Sequence, residues 1–175
     1  MEYLYAPWRA PYIRRATRRA ATTGCLFCRL ARSRSDRRHY ILYRGPRCLA
    51  VLNVFPYCSG HLMIAPYLHR RGLADLEQQD AHELIELAGR AEAILRKVYR
   101  PDGLNLGINL GRAAGAGVAD HVHLHLLPRW NGDTNFMGTV GGLRVVPEAL
   151  AETYRRLRPQ FEAPARSSAN RKVRR

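Results

Sequence analysis

The chain has 175 residues, 46% of them hydrophobic and 25% charged, which suits one domain with its own core and excludes global disorder. Its formal net charge of +15 is carried by the flanks: residues 1–47 hold 12 Arg against Glu2 and Asp36, and residues 162–175 hold five basic groups against Glu162. The 114 residues between them, with 12 basic and 11 acidic groups, are near neutral, which argues against nucleic-acid binding as the main task.

Residues 1–24 form an arm in which Tyr3, Tyr5, Trp8 and Tyr12 alternate with Arg. It lacks the apolar core of a signal peptide, and Pro7 and Pro11 interrupt the amphipathic helix that a transit peptide needs. The arm fits a solvated surface or a subunit contact, and an anionic partner second. Cys25-Leu-Phe-Cys28 follows; in a chain of intracellular appearance this spacing suggests half a metal site, or redox chemistry, before disulfides. We therefore expect a cytoplasmic protein.

Arg38–Arg44 and Arg47–Asn53 read as two strands around a Gly45-Pro46 turn, and His61–Ala65 as a third short strand. The charge-free stretch from Cys48 to His69 is broken by Asn53, Pro56, Gly60, His61 and Pro66, so it is not a membrane span. Asp80 with Glu83 three residues on has the form of a capping box, and Leu84, Leu87, Ala88, Ala91, Ile94, Leu95 and Val98 continue at helical spacing until Pro101 and Gly103. Leu104–Leu110 and His121–Leu127 read as strands joined by a small-residue loop, and Pro147–Arg158 as a closing amphipathic helix. The expected fold class is α+β with a mainly antiparallel sheet. The expected organisation is an arm over 1–24, a catalytic domain over 25–160 and a basic, disordered tail over 161–175.

The segment Asp120-His-Val-His-Leu-His-Leu-Leu127 carries the most chemical information. Side chains alternate along a strand, so His121, His123 and His125 share one face while Val122, Leu124 and Leu126 meet the core. Three imidazoles on one face are costly as packing, because each brings two ring nitrogens that need partners. Two chemistries fit: a metal centre, or nucleophilic attack on phosphorus by a neutral imidazole with a neighbouring imidazolium steadying the developing charge. Gly111, Gly115 and Gly117 in the preceding loop would let backbone amides approach an anion.

The His-x-His-x-His-x-x pattern resembles the signature of the histidine triad nucleotide hydrolases and transferases. Leu52-Asn-Val-Phe-Pro56, Gly60-His-Leu-Met-Ile-Ala-Pro66 and His69 resemble the upstream block of that family. Ala6-Pro-Trp-Arg9 and Pro128-Arg-Trp-Asn-Gly-Asp-Thr-Asn-Phe136 resemble its dinucleoside tetraphosphate phosphorylase branch. The likeness implies a five-stranded antiparallel sheet with one long and one C-terminal helix, usually paired into a homodimer. It implies His123 as the nucleophile, His125 on the same phosphate, Asn109 orienting the phosphate or the leaving group, and Asn53 at the ribose hydroxyls. Gly115 and Gly117 would line the phosphate, and Trp130 would lie near a second nucleotide or at a subunit interface.

The reaction implied is diadenosine tetraphosphate plus inorganic phosphate giving ATP plus ADP, with no organic cofactor. Water as the acceptor would make the chain a hydrolase of dinucleoside polyphosphates or nucleoside phosphoramidates instead. One departure is that Gly117 and Val118 stand where many relatives carry Ser or Thr. Family members with a Cys, Cys, His, His set also imply a structural zinc on Cys25, Cys28, His69 and His121, against the alternative of half-buried thiols. Cys48 and Cys58 are expected as packing residues, His39 and His82 at the surface, and His61 as a packing residue at a strand start, with contact to substrate as the second reading.

Overall fold

The computed structural model describes residues 24–133 and 148–163; residues 1–23 of the arm and 164–175 of the tail lie outside them. Helices α1 (Leu26–Arg32) and α2 (Asp36–His39) lead into strands β1 (Ile41–Arg44), β2 (Cys48–Leu52) and β3 (Leu62–Pro66). Helix α3 (Gln78–Tyr99) crosses to β4 (Gly103–Ile108) and β5 (Leu124–Arg129), and α4 (Leu150–Glu162) closes the domain. The five strands form one sheet in the order β1-β2-β3-β5-β4, antiparallel at every pairing. The fold is the expected α+β arrangement.

Alternation along the strands sorts the side chains into two layers. Leu62 and Ile64 of β3, with Leu124 and Leu126 of β5, join Leu84, Ala91 and Leu95 of α3 and Leu157 and Phe161 of α4 in the main core. Met63 and Ala65, one residue out of phase, face the other way with Ile41, Leu49 and Val51, where Phe27 and Leu30 of α1 cover them. A one-residue slip in β3 or β5 would exchange the two sets, so burial fixes the register.

Local details depart from the sequence expectations for non-local reasons. Residues 36–39 form a helical turn ended by Tyr40 at φ 55°, so β1 begins at Ile41 rather than Arg38. Asp80 and Glu83 do not make a capping box: α3 starts at Gln78 after Glu77. Asp80 is buried and ion-paired with Arg47 at 2.8 Å, while the Glu83 carboxylate accepts the backbone N–H groups of Arg47 (3.0 Å) and Cys48 (3.0 Å). That carboxylate fills the space beside Gly45, where an added Cβ would overlap it. Both acidic groups thus hold the β1–β2 turn against the long helix. Helix α4 continues through Pro159 to Glu162 and buries Phe161.

Candidate active site

The His121–His125 segment runs along the sheet face opposite the two long helices. Regular strand pairing starts only at Leu124, so His121 and His123 sit on the extended lead-in to β5 rather than within it. All three imidazoles are buried. Burial disfavours the charged form and pushes all three below the ordinary histidine value, His125 to about 4. All three are therefore neutral at pH 7.

Hydrogen bonds then determine which nitrogen of each ring carries the proton. The N–H at Nδ1 of His123 donates to the backbone carbonyl of His121 at 2.7 Å. Its Nε2 is left with the lone pair, the form a nucleophile needs. The His125 tautomer follows from a longer chain. Tyr57 N–H donates to Nδ1 of His61 at 3.1 Å, and the Asn53 side-chain amide reaches the same atom at 3.4 Å. Nδ1 of His61 is thereby an acceptor and its proton sits on Nε2, which donates to Nδ1 of His125 at 2.9 Å. His125 consequently presents Nε2–H as a donor. One neighbouring ring offers a lone pair and the other a proton, with ring centroids 4.9 Å apart.

His61, expected as a packing residue at a strand start, is hydrogen-bonded to the triad. It is 1% exposed, and its partner is the third histidine of the triad rather than a hydrocarbon wall. Parity held the signal, because His61 shares its phase with Met63 and Ala65 on the histidine face. Asn53 lies beside it and accepts Phe55 N–H at 3.0 Å through Oδ1. The β4–β5 register pairs Ile108 with Leu124, and continuing it by one residue sets Asn109 opposite His123.

In the loop between those strands Gly115 adopts φ 90°, which a side chain rarely tolerates. Its N–H donates to Arg112 O and that of Ala116 to Gly111 O, so these two amides are directed into the loop. Gly117 is exposed, with open space where a side chain would stand. Trp130 is not brought to the triad within one chain. It lies beyond β5, roughly 16 Å from His125 at strand rise, and packs edge-on against Tyr99.

A second constellation adjoins the first. Cys25, Cys28, His69 and His121 present ligand atoms that all lie within 4.8 Å of one another, the group of this kind found among the described residues. Sγ of Cys25 is 3.2 Å from Nδ1 of His121, Sγ of Cys28 is 3.3 Å from Nδ1 of His69, and Cys28 is 3.7 Å from His121. Tetrahedral zinc with two thiolates and two imidazoles needs donor separations of about 3.3–3.8 Å, so the set fits. Nε2–H of His121 donates to Pro66 O at 2.9 Å, leaving Nδ1 free to ligate. His121 thus joins the Cys25, Cys28 and His69 cluster, which does not include His123 or His125. Cys48 is buried, with its thiol pushed up to about 12 by that burial, and Cys58 donates to Pro128 O; both are packing residues as expected.

Comparison with known proteins follows the same lines. Residues 34–132 match the HIT domain family. The AP-4-A phosphorylase of Mycobacterium tuberculosis is 36% identical over 166 residues, covering 92% of this chain and 85% of that protein. A Zn-bound histidine triad family protein from Mycobacterium smegmatis superposes with a TM-score of 0.64 at 29% identity, covering 79% of this chain and 94% of its own. A hypothetical histidine triad nucleotide-binding protein from Sulfolobus tokodaii gives a TM-score of 0.60 at 25% identity, over 79% and 92% of the two chains.

Proposed function

The chain belongs to the histidine triad (HIT) family of nucleotide-processing enzymes, and from that premise we propose that it is a phosphorylase of dinucleoside polyphosphates. The substrate class is supported by the likeness to the mycobacterial AP-4-A phosphorylase over nearly the whole chain. The observation that carries the mechanism is the fixed tautomer of His123, whose Nδ1–H is held by a backbone carbonyl while Nε2 keeps its lone pair.

In this reading His123 Nε2 attacks the α-phosphorus of diadenosine tetraphosphate. A bond forms from nitrogen to phosphorus, and the bond to the bridging oxygen breaks to release ATP. His125 Nε2–H donates to an oxygen of the same phosphate as charge develops there, and Asn109 orients the phosphate or the leaving group. Inorganic phosphate then attacks the adenylyl group on His123, regenerating the neutral imidazole and giving ADP. Asn53 holds the ribose as well as His61, and Gly115 and Gly117 leave room for the phosphate chain. Trp130 belongs to a second nucleotide or a subunit contact.

Zinc is part of the same proposal. Cys25, Cys28, His69 and His121 would hold it as a closed structural site that ties the N-terminal helix to the triad segment, with no open position for substrate. The homodimer is supported by β4, whose outer edge pairs with no strand among the described residues and exposes Leu106 and, just beyond it, Leu110. A cytoplasmic location is supported by Cys25 and Cys28, whose thiols stand beside His69 and His121 rather than in a disulfide. No helix among the described residues is long and apolar enough to cross a membrane.

Product chromatography tests the reaction. Incubation with diadenosine tetraphosphate should give ATP plus ADP only when inorganic phosphate is present. ATP plus AMP, or two ADP, without phosphate would make the chain a hydrolase.

A further inference from the structure

Between the two cysteines of the metal-site motif lies a residue that touches the triad instead of the metal. Phe27 is 1% exposed, and its ring centroid is 4.8 Å from that of His123 at an interplanar angle of 37°. It also packs against His121 at 5.2 Å. These separations lie in the range where aromatic rings make favourable tilted contacts.

The helix that carries Phe27 is unusually well held for its length. Seven residues do not sustain a helix alone, and Cys25 at the N-cap supplies no side-chain cap. Its N-terminal end is instead gathered with His69 and His121 through Cys25 and Cys28. At the far end the Arg44 guanidinium donates to the carbonyls of Leu30 (3.0 Å), Ala31 (3.1 Å) and Ser33 (2.7 Å). Between the two clamps Phe27 and Leu30 bury into the layer formed by Ile41, Leu49, Val51, Met63 and Ala65. Phe27 is therefore a stationary wall rather than a mobile filler.

The His123 ring needs such a wall. Its hydrogen bond to His121 O constrains one edge through one atom, and a single bond leaves the ring free to tilt about that edge. Ring contacts close the remaining directions, and those made by the described residues include Phe27 and His125. We infer that Phe27 is a positioning residue for the nucleophile: it holds the His123 imidazole in the plane that aims Nε2 at the substrate phosphorus, and it links the Cys25/Cys28 cluster to catalysis. This rests on His123 being the nucleophile.

Phe27→Leu separates positioning from filling, since leucine keeps an apolar chain but loses the flat face. We expect the variant to keep its melting temperature within a few degrees, its zinc content, and its KM within about twofold. Its kcat should fall about ten- to a hundredfold, the size expected when a reacting group is misplaced by about 1 Å. Imidazole nitrogen NMR on the resting protein, assigned against His123→Ala, should show His123 as the single Nδ1–H tautomer in the wild type and as a mixture in the variant. Unchanged kcat would overturn the inference. So would a raised KM with kcat preserved, which would place Phe27 against the substrate instead. Should the leucine variant fail to fold, Phe27→Met is read the same way, because its unbranched chain adapts to the gap. Turnover retained in His123→Ala would remove the nucleophile itself; turnover lost there with Phe27→Leu fully active would defeat only the role of Phe27.

Discussion

The two faces of the sheet share their strands and almost nothing else. One face is hydrocarbon: Leu62, Ile64, Leu124 and Leu126 lie under α3 and α4 in a continuous core. The other carries His61, His123 and His125 among Met63, Val51 and Phe27, under one short helix. On the first face many interchangeable contacts sum to stability, so no one atom is indispensable. On the second each ring has at least one nitrogen with an assigned partner, and the protonation pattern follows from Tyr57, Asn53 and the carbonyl of His121. The face that holds the main core is separate from the face that carries the proposed chemistry, and each is open to attack independently.

The largest effect should come from His123→Ala, which removes the nucleophile. We expect kcat to fall about 10⁴-fold or more, with thermal unfolding near that of the wild type. Its mirror is Leu126→Ala, one strand position beyond His125 on the other face, which should cost about 2–5 kcal/mol of stability while surviving folded molecules keep their kcat. A denaturation curve beside a kcat measurement separates the two; loss of both properties in both variants would break the comparison. His125→Ala should lower kcat about 10²- to 10³-fold by removing one donor to the developing charge.

A smaller effect is expected from His61→Gln, of about tenfold in kcat. The third histidine keeps a hydrogen-bonding neighbour but loses the imidazole that fixes its tautomer. The substitution should leave KM largely unchanged, and a rise confined to KM would show that His61 contacts substrate instead. The mildest effect is on pH dependence. His125 titrates at about 4 in the folded chain, below the ordinary histidine value near 6.5. The unfolded chain therefore binds this proton first as pH falls, so stability from this group is complete above about 6.5 and declines between about 6.5 and 4. Denaturant midpoints across that window should fall with pH in the wild type and fall less steeply in His125→Gln.

Much of this arrangement is visible in the residue pattern. The period-two alternation at residues 121–127 separates imidazole from leucine; the Cys25/Cys28 spacing suggests half a metal site, and the family resemblance adds His69 and His121. What escapes it depends on contacts between distant residues. Asp80 and Glu83 have the form of a helix cap, but Arg47 and the β1–β2 turn, more than 30 residues earlier, claim both carboxylates. Helix α1 has too few residues for periodicity to register, and its stability comes from Arg44 and the Cys/His cluster. The role of His61 depends on β3 lying beside β5, with Met63 paired to His125. No local pattern contains that pairing.

The central claim is that His123 becomes covalently adenylylated while its neighbours remain as they are. The most direct measurement is peptide mass spectrometry of the enzyme, quenched within a single turnover of diadenosine tetraphosphate in the absence of inorganic phosphate. The account predicts one adenylyl group on the peptide bearing His123, absent from His123→Ala and discharged as ADP when phosphate is added before the quench. Turnover with no adduct at any time, or an adduct that persists in His123→Ala, would contradict it.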